Sequence, residues 1–162
     1  MICTTYKLHA RYITTENFKP YGQLIQPVAD NKYYDFRDAQ LNLSKGIPRF
    51  YIMSLKYKKK QFHSITRHNF CTQCLGALDS KIWYIAVASP TLENKPKKDN
   101  LVVFKIPSNC FIKLEVGTWH SGPYFDDEIV NFYNLELSDT NVNDHFSYNF
   151  LVNENVQFTI VD

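Results

Sequence analysis

No stretch of this chain approaches the ~20 consecutive apolar residues that a membrane span requires, which excludes a helical membrane segment. The opening residues, MICTTYKLHARYITTENF, also lack the apolar core of a secretory signal. A cytoplasmic protein is therefore expected. Neither charge sign dominates: 18 Lys and Arg face 16 Asp and Glu, for a formal net charge of +2. Such a balance gives no global field for nucleic acid. The two local basic runs, residues 56–60 and 95–98, read as solvated turns between strands. The four cysteines, Cys3, Cys71, Cys74 and Cys110, are too few and too scattered for a disulfide framework and would stay reduced in the cytosol. With no repeat, low-complexity tract or Gly/Ser linker, a single domain over residues 1–162 is the simplest organisation.

What the chain does have is aromatic residues. Twelve Phe and eleven Tyr among 162 residues suit pleated, half-buried surfaces. Residues 49–57, 62–68, 81–88, 101–106, 111–116, 130–137 and 156–161 are short, rich in β-branched and aromatic side chains, and separated by turn chemistry. Short strands with turn-sized gaps argue for a sandwich or barrel. The run IWYIAVA, apolar on both faces, reads as a central strand. Before these, residues 14–18 read as a capped helical turn closed by Lys19-Pro20. Residues 31–45 read as a long polar loop with one helical turn.

Two segments carry the chemistry. Cupin barrels place the motifs HxH(x)3–4E and PxGxxH on neighbouring strands so that their side chains converge in the lumen. Residues 115–120 (EVGTWH) resemble the second motif, with Glu115 in place of Pro. Residues 66–73 (TRHNFCTQ) resemble the first, with Thr66 for the first His and Gln73 for the Glu. Because alternate strand residues share a face, Thr66 and His68 are expected to point together, with Gln73 rejoining them after a turn. The stretch from residue 67 to 120 is thus expected to form a small barrel whose lumen binds a ligand. The metal-capable set is His68, Gln73 and His120. Zinc and iron sites normally bring three or more good ligands, so no tightly held cofactor metal is expected, while a weakly bound divalent ion stays open. Cys71 and Cys74 form a CxxC without a helix start or a second CxxC and read as buried strand thiols. His63 and His145 read as surface or loop residues.

Those motifs are similar to the ureidoglycolate lyase family. Its pattern ITxExFxPYG is matched by residues 13–22, RHPxxTQ by residues 67–73 and GTWHHP by residues 117–123; a DFxxxDR segment resembles residues 131–137. The likeness keeps motif order over nearly the whole chain. It is closer still to a plant and cyanobacterial branch, through GIPRFYIM, TQCLG, GTWHxGP and FYNLELSDTNVNDH. The departures are Ser121 for the second His of GTWHHP, Asn131, Glu136 and Leu137 in the DFxxxDR segment, and Glu115 two places before the motif glycine.

The resemblance implies an all-β, cupin-like barrel (a double-stranded β-helix or jelly roll) with a few short helices, assembled as a homodimer. It also implies cleavage of ureidoglycolate to glyoxylate and urea, within purine and allantoin catabolism. That reaction needs a base for the hydroxyl, an acid for the departing urea nitrogen and a cation for the carboxylate. His120 has the intrinsic range for acid–base work. Arg67 or Arg49 could clamp the carboxylate bidentately. Glu136 and Asn134 share a strand face. If that face is the lumen, Glu136 and Glu115 are candidate bases or ion ligands, and Asn134 and Gln73 candidate substrate contacts; if it faces solvent, they are surface. Trp119 reads as barrel wall. A non-catalytic cupin binding a small polar metabolite, and a cupin enzyme acting on another small carboxylate, are the alternatives.

Overall fold

Strand-forming segments dominate the computed structural model, which describes residues 3–162. In chain order they are β1 (Thr4–Tyr12), β2 (Gly22–Ile25), β3 (Pro48–Lys56), β4 (Gln61–Phe62), β5 (Ser64–Arg67), β6 (Gln73–Ala77), β7 (Trp83–Ala88), β8 (Val102–Ile106), β9 (Phe111–Leu114), β10 (Trp119–Tyr124), β11 (Ile129–Leu137), β12 (Phe146–Asn149) and β13 (Val156–Val161). Three short helices join them among the described residues: α1 (Thr15–Phe18), α2 (Thr140–Asn143) and α3 (Phe150–Glu154). The helical turn expected at the start forms as α1. Thr14 caps it, accepting from the Asn17 backbone while the Asn17 side chain accepts from the Thr14 amide, so two otherwise orphaned donors are satisfied.

The strands form an eight-stranded sheet, β12-β5-β10-β7-β8-β1-β13-β4, and a five-stranded sheet, β2-β9-β6-β11-β3. This matches the expected all-β, cupin-like barrel. The larger sheet curls, because β4 at one end runs on in the chain to β5 near the other. Its inner face gathers Ile65, Ala86, Val103, Trp119, Phe158 and their neighbours into one core. The other face of β7 and β8 packs Trp83, Ile85, Val87, Phe104 and Ile106 against Leu75, Ile112, Leu114 and Phe132 of the smaller sheet, making a second core. Strand β7, apolar on both sides, therefore separates two interiors and is buried at every position, as IWYIAVA foretold.

Three expectations are corrected. The strand expected over residues 62–68 is broken into β4 and β5. Residues 31–45 form turns closed by Lys32→Ala29 and Asp38→Asp35 hydrogen bonds but no helix. The barrel is not confined to residues 67–120: β1, β2, β3, β11 and β13 supply much of its wall.

Candidate active site

Register fixes which side chains share the space between the sheets. On β10, His120 pairs with Val87, a residue of the inter-sheet core. On β6, Gln73 pairs with Leu114. On β11, Asn134 and Glu136 continue the face of the buried Val130 and Phe132, and lie opposite Tyr51 and Arg49 of β3. Residues directly opposite in an antiparallel pair point to the same side. The polar residues thus occupy one end of an otherwise apolar lumen. The alternative that Asn134 and Glu136 lie on the surface is excluded, since each is 1% exposed.

Within this end the hydrogen bonds have one direction. Tyr51 donates to Glu136 Oε1 at 3.1 Å, Gln73 Nε2 to Glu136 Oε2 at 3.0 Å, and Asn141 Nδ2 to Oε1 at 3.4 Å. Gln73 Nε2 also reaches Asn134 Oδ1 at 3.1 Å, while Asn134 Nδ2 donates to the Tyr51 oxygen at 3.0 Å. Burial raises the Tyr51 phenol pKa, which keeps its proton available for donation. The carboxylate of Glu136 can only accept, so it orients the Gln73 amide and leaves Gln73 Oε1 buried with no partner among the described residues.

His68 and His120 face each other with ring centroids 5.0 Å apart. His68 Nδ1 lies 2.5 Å from the Asp144 carbonyl and His120 Nδ1 lies 3.2 Å from that of Thr118. A carbonyl has no proton to give, so both rings carry their hydrogen on Nδ1 and present a bare Nε2. Burial pushes the His68 pKa below its ordinary value, against the opposing pull of the Asp144 carbonyl and the Asp144 and Glu136 charges. Burial lowers His120 further, to about 3, and the neighbouring His68 adds to it.

Of the remaining sequence candidates, Arg67 and Glu115 lie elsewhere. Arg67 points to the opposite side of its strand from His68. Its guanidinium donates to Thr91 O, Glu93 O and Asn94 Oδ1 and stacks on Trp119, 4.4 Å from the ring centre, so it holds the loop after β7. Glu115 is exposed and paired with the fully buried Lys113. Arg49 lies beside Tyr51: its guanidinium is 3.7 Å from the Tyr51 ring centre, exposed and without an ion pair among the described residues. Trp119 is wall, as expected, its indole donating to Thr91 Oγ1. Cys71 is buried and Cys74 half-buried, both as free thiols, with burial pushing Cys74 up to about 11. Ser121 bonds the Tyr124 hydroxyl, and His63 is exposed.

Sequence reasoning missed Tyr51, Asn141 and Asp144, while His145 is exposed, as its reading as a surface or loop residue had it. The ring of His145, itself exposed, lies 5.8 Å from that of His68. The only signal was the strand pairing that sets Tyr51 against Asn134, which a single sequence does not display. As to metal, among the described residues no three His, Cys, Asp or Glu side chains converge on one point. Two imidazoles and an amide oxygen, with Glu136 already accepting from Tyr51, Asn141 and Gln73, do not fit a resident metal ion.

The family model of ureidoglycolate lyase matches residues 5–152. No relative among the curated proteins matches the chain.

Proposed function

The chain belongs to the ureidoglycolate lyase family, and on that premise we propose how its lumen cleaves ureidoglycolate to glyoxylate and urea. The observation that carries the reading is Gln73 Oε1, buried with no partner among the described residues, together with His68 and His120, whose ring hydrogen bonds there run through Nδ1. A buried acceptor without a donor is costly, so the ligand that fits must bring donors. Ureidoglycolate brings a hydroxyl and several ureido N–H groups on one small frame.

His68 is the base: burial lowers its pKa, but the Asp144 carbonyl and the Asp144 and Glu136 charges oppose that lowering, so it takes a proton more readily than His120. Its Nε2 takes the hydroxyl proton as the carbon–oxygen bond becomes a carbonyl and the carbon–nitrogen bond breaks. The same Nε2 returns that proton to the departing urea nitrogen, so no net proton is consumed. His120 stays neutral and accepts a hydrogen bond from the substrate. Gln73 Oε1 accepts from the ureido group, and Arg49 binds the carboxylate. Glu136 and Asn134 hold Gln73 and Tyr51 in place.

The test is to follow glyoxylate from purified protein and ureidoglycolate, with added divalent metal or with chelator. Glyoxylate is expected in both cases. His68→Ala and His120→Ala should each lower kcat/KM by roughly 100-fold or more, with His63→Ala unchanged. No glyoxylate above background under any metal condition would sink the lyase reading, and equal losses for the three variants would misplace the site.

The cytoplasm is the proposed compartment, supported by four free cysteines. No helix among the described residues is long and apolar enough to cross a membrane. The proposed pathway is purine and allantoin breakdown. A homodimer is proposed through the outer face of the five-stranded sheet, where Phe50 and Ile52 are 68% and 56% exposed and Phe50 stacks on Tyr133 at 5.6 Å. Strand β3 is also an unpaired edge of nine residues, a liability that a second copy would cover.

A further inference from the structure

Asp144 touches three consecutive residues at once. Its carboxylate accepts from the backbone amides of Asn69 and Phe70, each at 2.7 Å, and its carbonyl takes the His68 Nδ1 proton in a hydrogen bond. The side chain is buried, and it follows α2, whose Thr140 carbonyl accepts from the Asp144 amide at 3.1 Å. The turn after β5 is thereby fastened to the segment after β11, two pieces of chain 75 residues apart in sequence. The backbone of His68 is tied on its other side as well, its carbonyl accepting from Gly117 at 2.7 Å, three residues before His120.

An imidazole in water exchanges its proton between two nitrogens. Only the tautomer protonated on Nδ1 offers a lone pair at Nε2. The choice at His68 is made by a carbonyl, and the position of that carbonyl is set by the two amide bonds of the same residue's carboxylate. We infer that Asp144 is a positioning residue: by gripping Asn69 and Phe70 it locks its own carbonyl onto His68 and so holds the ring in the tautomer whose lone pair is on Nε2. It touches no substrate. This inference rests on the proposed lyase reading only for its catalytic consequence, since the tautomer is a property of the protein alone.

The experiment uses the full chain labelled with nitrogen-15, with two-bond proton–nitrogen spectra of the histidine rings at neutral pH. His68 in the unsubstituted protein is expected to be protonated on Nδ1. Asp144→Ala loses both amide anchors and should show His68 in a mixture of tautomers, with kcat lowered tenfold or more and KM changed by less than about threefold. Asp144→Asn, whose single amide oxygen can accept only in part, should fall between, and it serves where the alanine variant fails to fold. A folded Asp144 variant with His68 still wholly protonated on Nδ1, or an unsubstituted protein with the proton on Nε2, overturns the inference. Absence of turnover in the unsubstituted protein would instead count against the lyase reading, while the spectra still decide the role of Asp144.

Discussion

Burial holds the His120 imidazole neutral, with its pKa pushed down to about 3 by removal from water and then by the facing His68 ring. This has a measurable cost in acid. An unfolded histidine takes up a proton near pH 6.5, whereas folded His120 resists doing so until about pH 3. Between those values the unfolded chain binds more protons, so stability falls as pH falls. The loss from this one ring between pH 7 and pH 5 should be about 2 kcal/mol. Denaturant titrations at both pH values check it: His120→Gln should lose less on acidification than the unsubstituted protein, and equal losses would mean that the ring is charged in the fold. At this scale the sequence was partly legible. His68, His120 and Gln73 stood out by motif spacing. Arg67 did too, but its neighbour His68 occupies the lumen face, and alternation sends Arg67 to the opposite side.

Among the elements, strands dense in β-branched and aromatic residues were the ones readable from sequence, and β7, β8, β11 and β13 lie close to their expected bounds. The missed strands lacked that density. β6 is Gln-Cys-Leu-Gly-Ala, and β10 contains Gly122-Pro123, which reads as a turn yet sits within a strand whose register shifts between Ser121 and Tyr124. β1 is mostly exposed and earns its place by parallel pairing with both β13 and β8, a long-range fact that no local pattern states. The turn between β9 and β10 carries its own constraint. Gly117 adopts φ +81°, a conformation that costs a residue with a side chain roughly 1–2 kcal/mol. The added methyl would meet only ordinary contacts, with Pro90 and the Asn69 side chain. Gly117→Ala should therefore destabilise the fold by about 1–2 kcal/mol through backbone strain. Because the Gly117 amide holds the His68 carbonyl, the substitution should also reduce kcat. Thermal unfolding and turnover of the same sample would check both, and an unaltered melting temperature would refute the strain argument.

For the whole molecule, an exposed apolar sheet face beside an unpaired edge strand is the feature most at odds with an isolated monomer. Replacing Ile52 with Glu places a charge in the middle of that face without touching the lumen, since Ile52 points outward between the inward-facing Tyr51 and Met53. Ile52→Glu should shift the mass in sedimentation or light scattering from two chains to one while leaving the fold intact. A mass of one chain for the unsubstituted protein would remove the dimer proposal. The barrel was legible from strand spacing. The polar end of its lumen was legible only in part, because it is assembled from β3, β6, β10, β11 and the segment after α2, which only the folded topology brings together.

The strand buried on both faces has a consequence for how such a protein can change. Along β7, Ile85 and Val87 belong to the lumen side, whereas Tyr84, Ala86 and Ala88 belong to the interior of the curled sheet. Well-separated sites with no shared partners contribute to stability nearly independently. β7 thus acts as a partition wall, and the curled compartment can serve as a keel. Substitutions around the pocket draw on a reserve of stability held in a separate room, so the chemistry of the lumen is free to be rewritten while the ballast stays where it is.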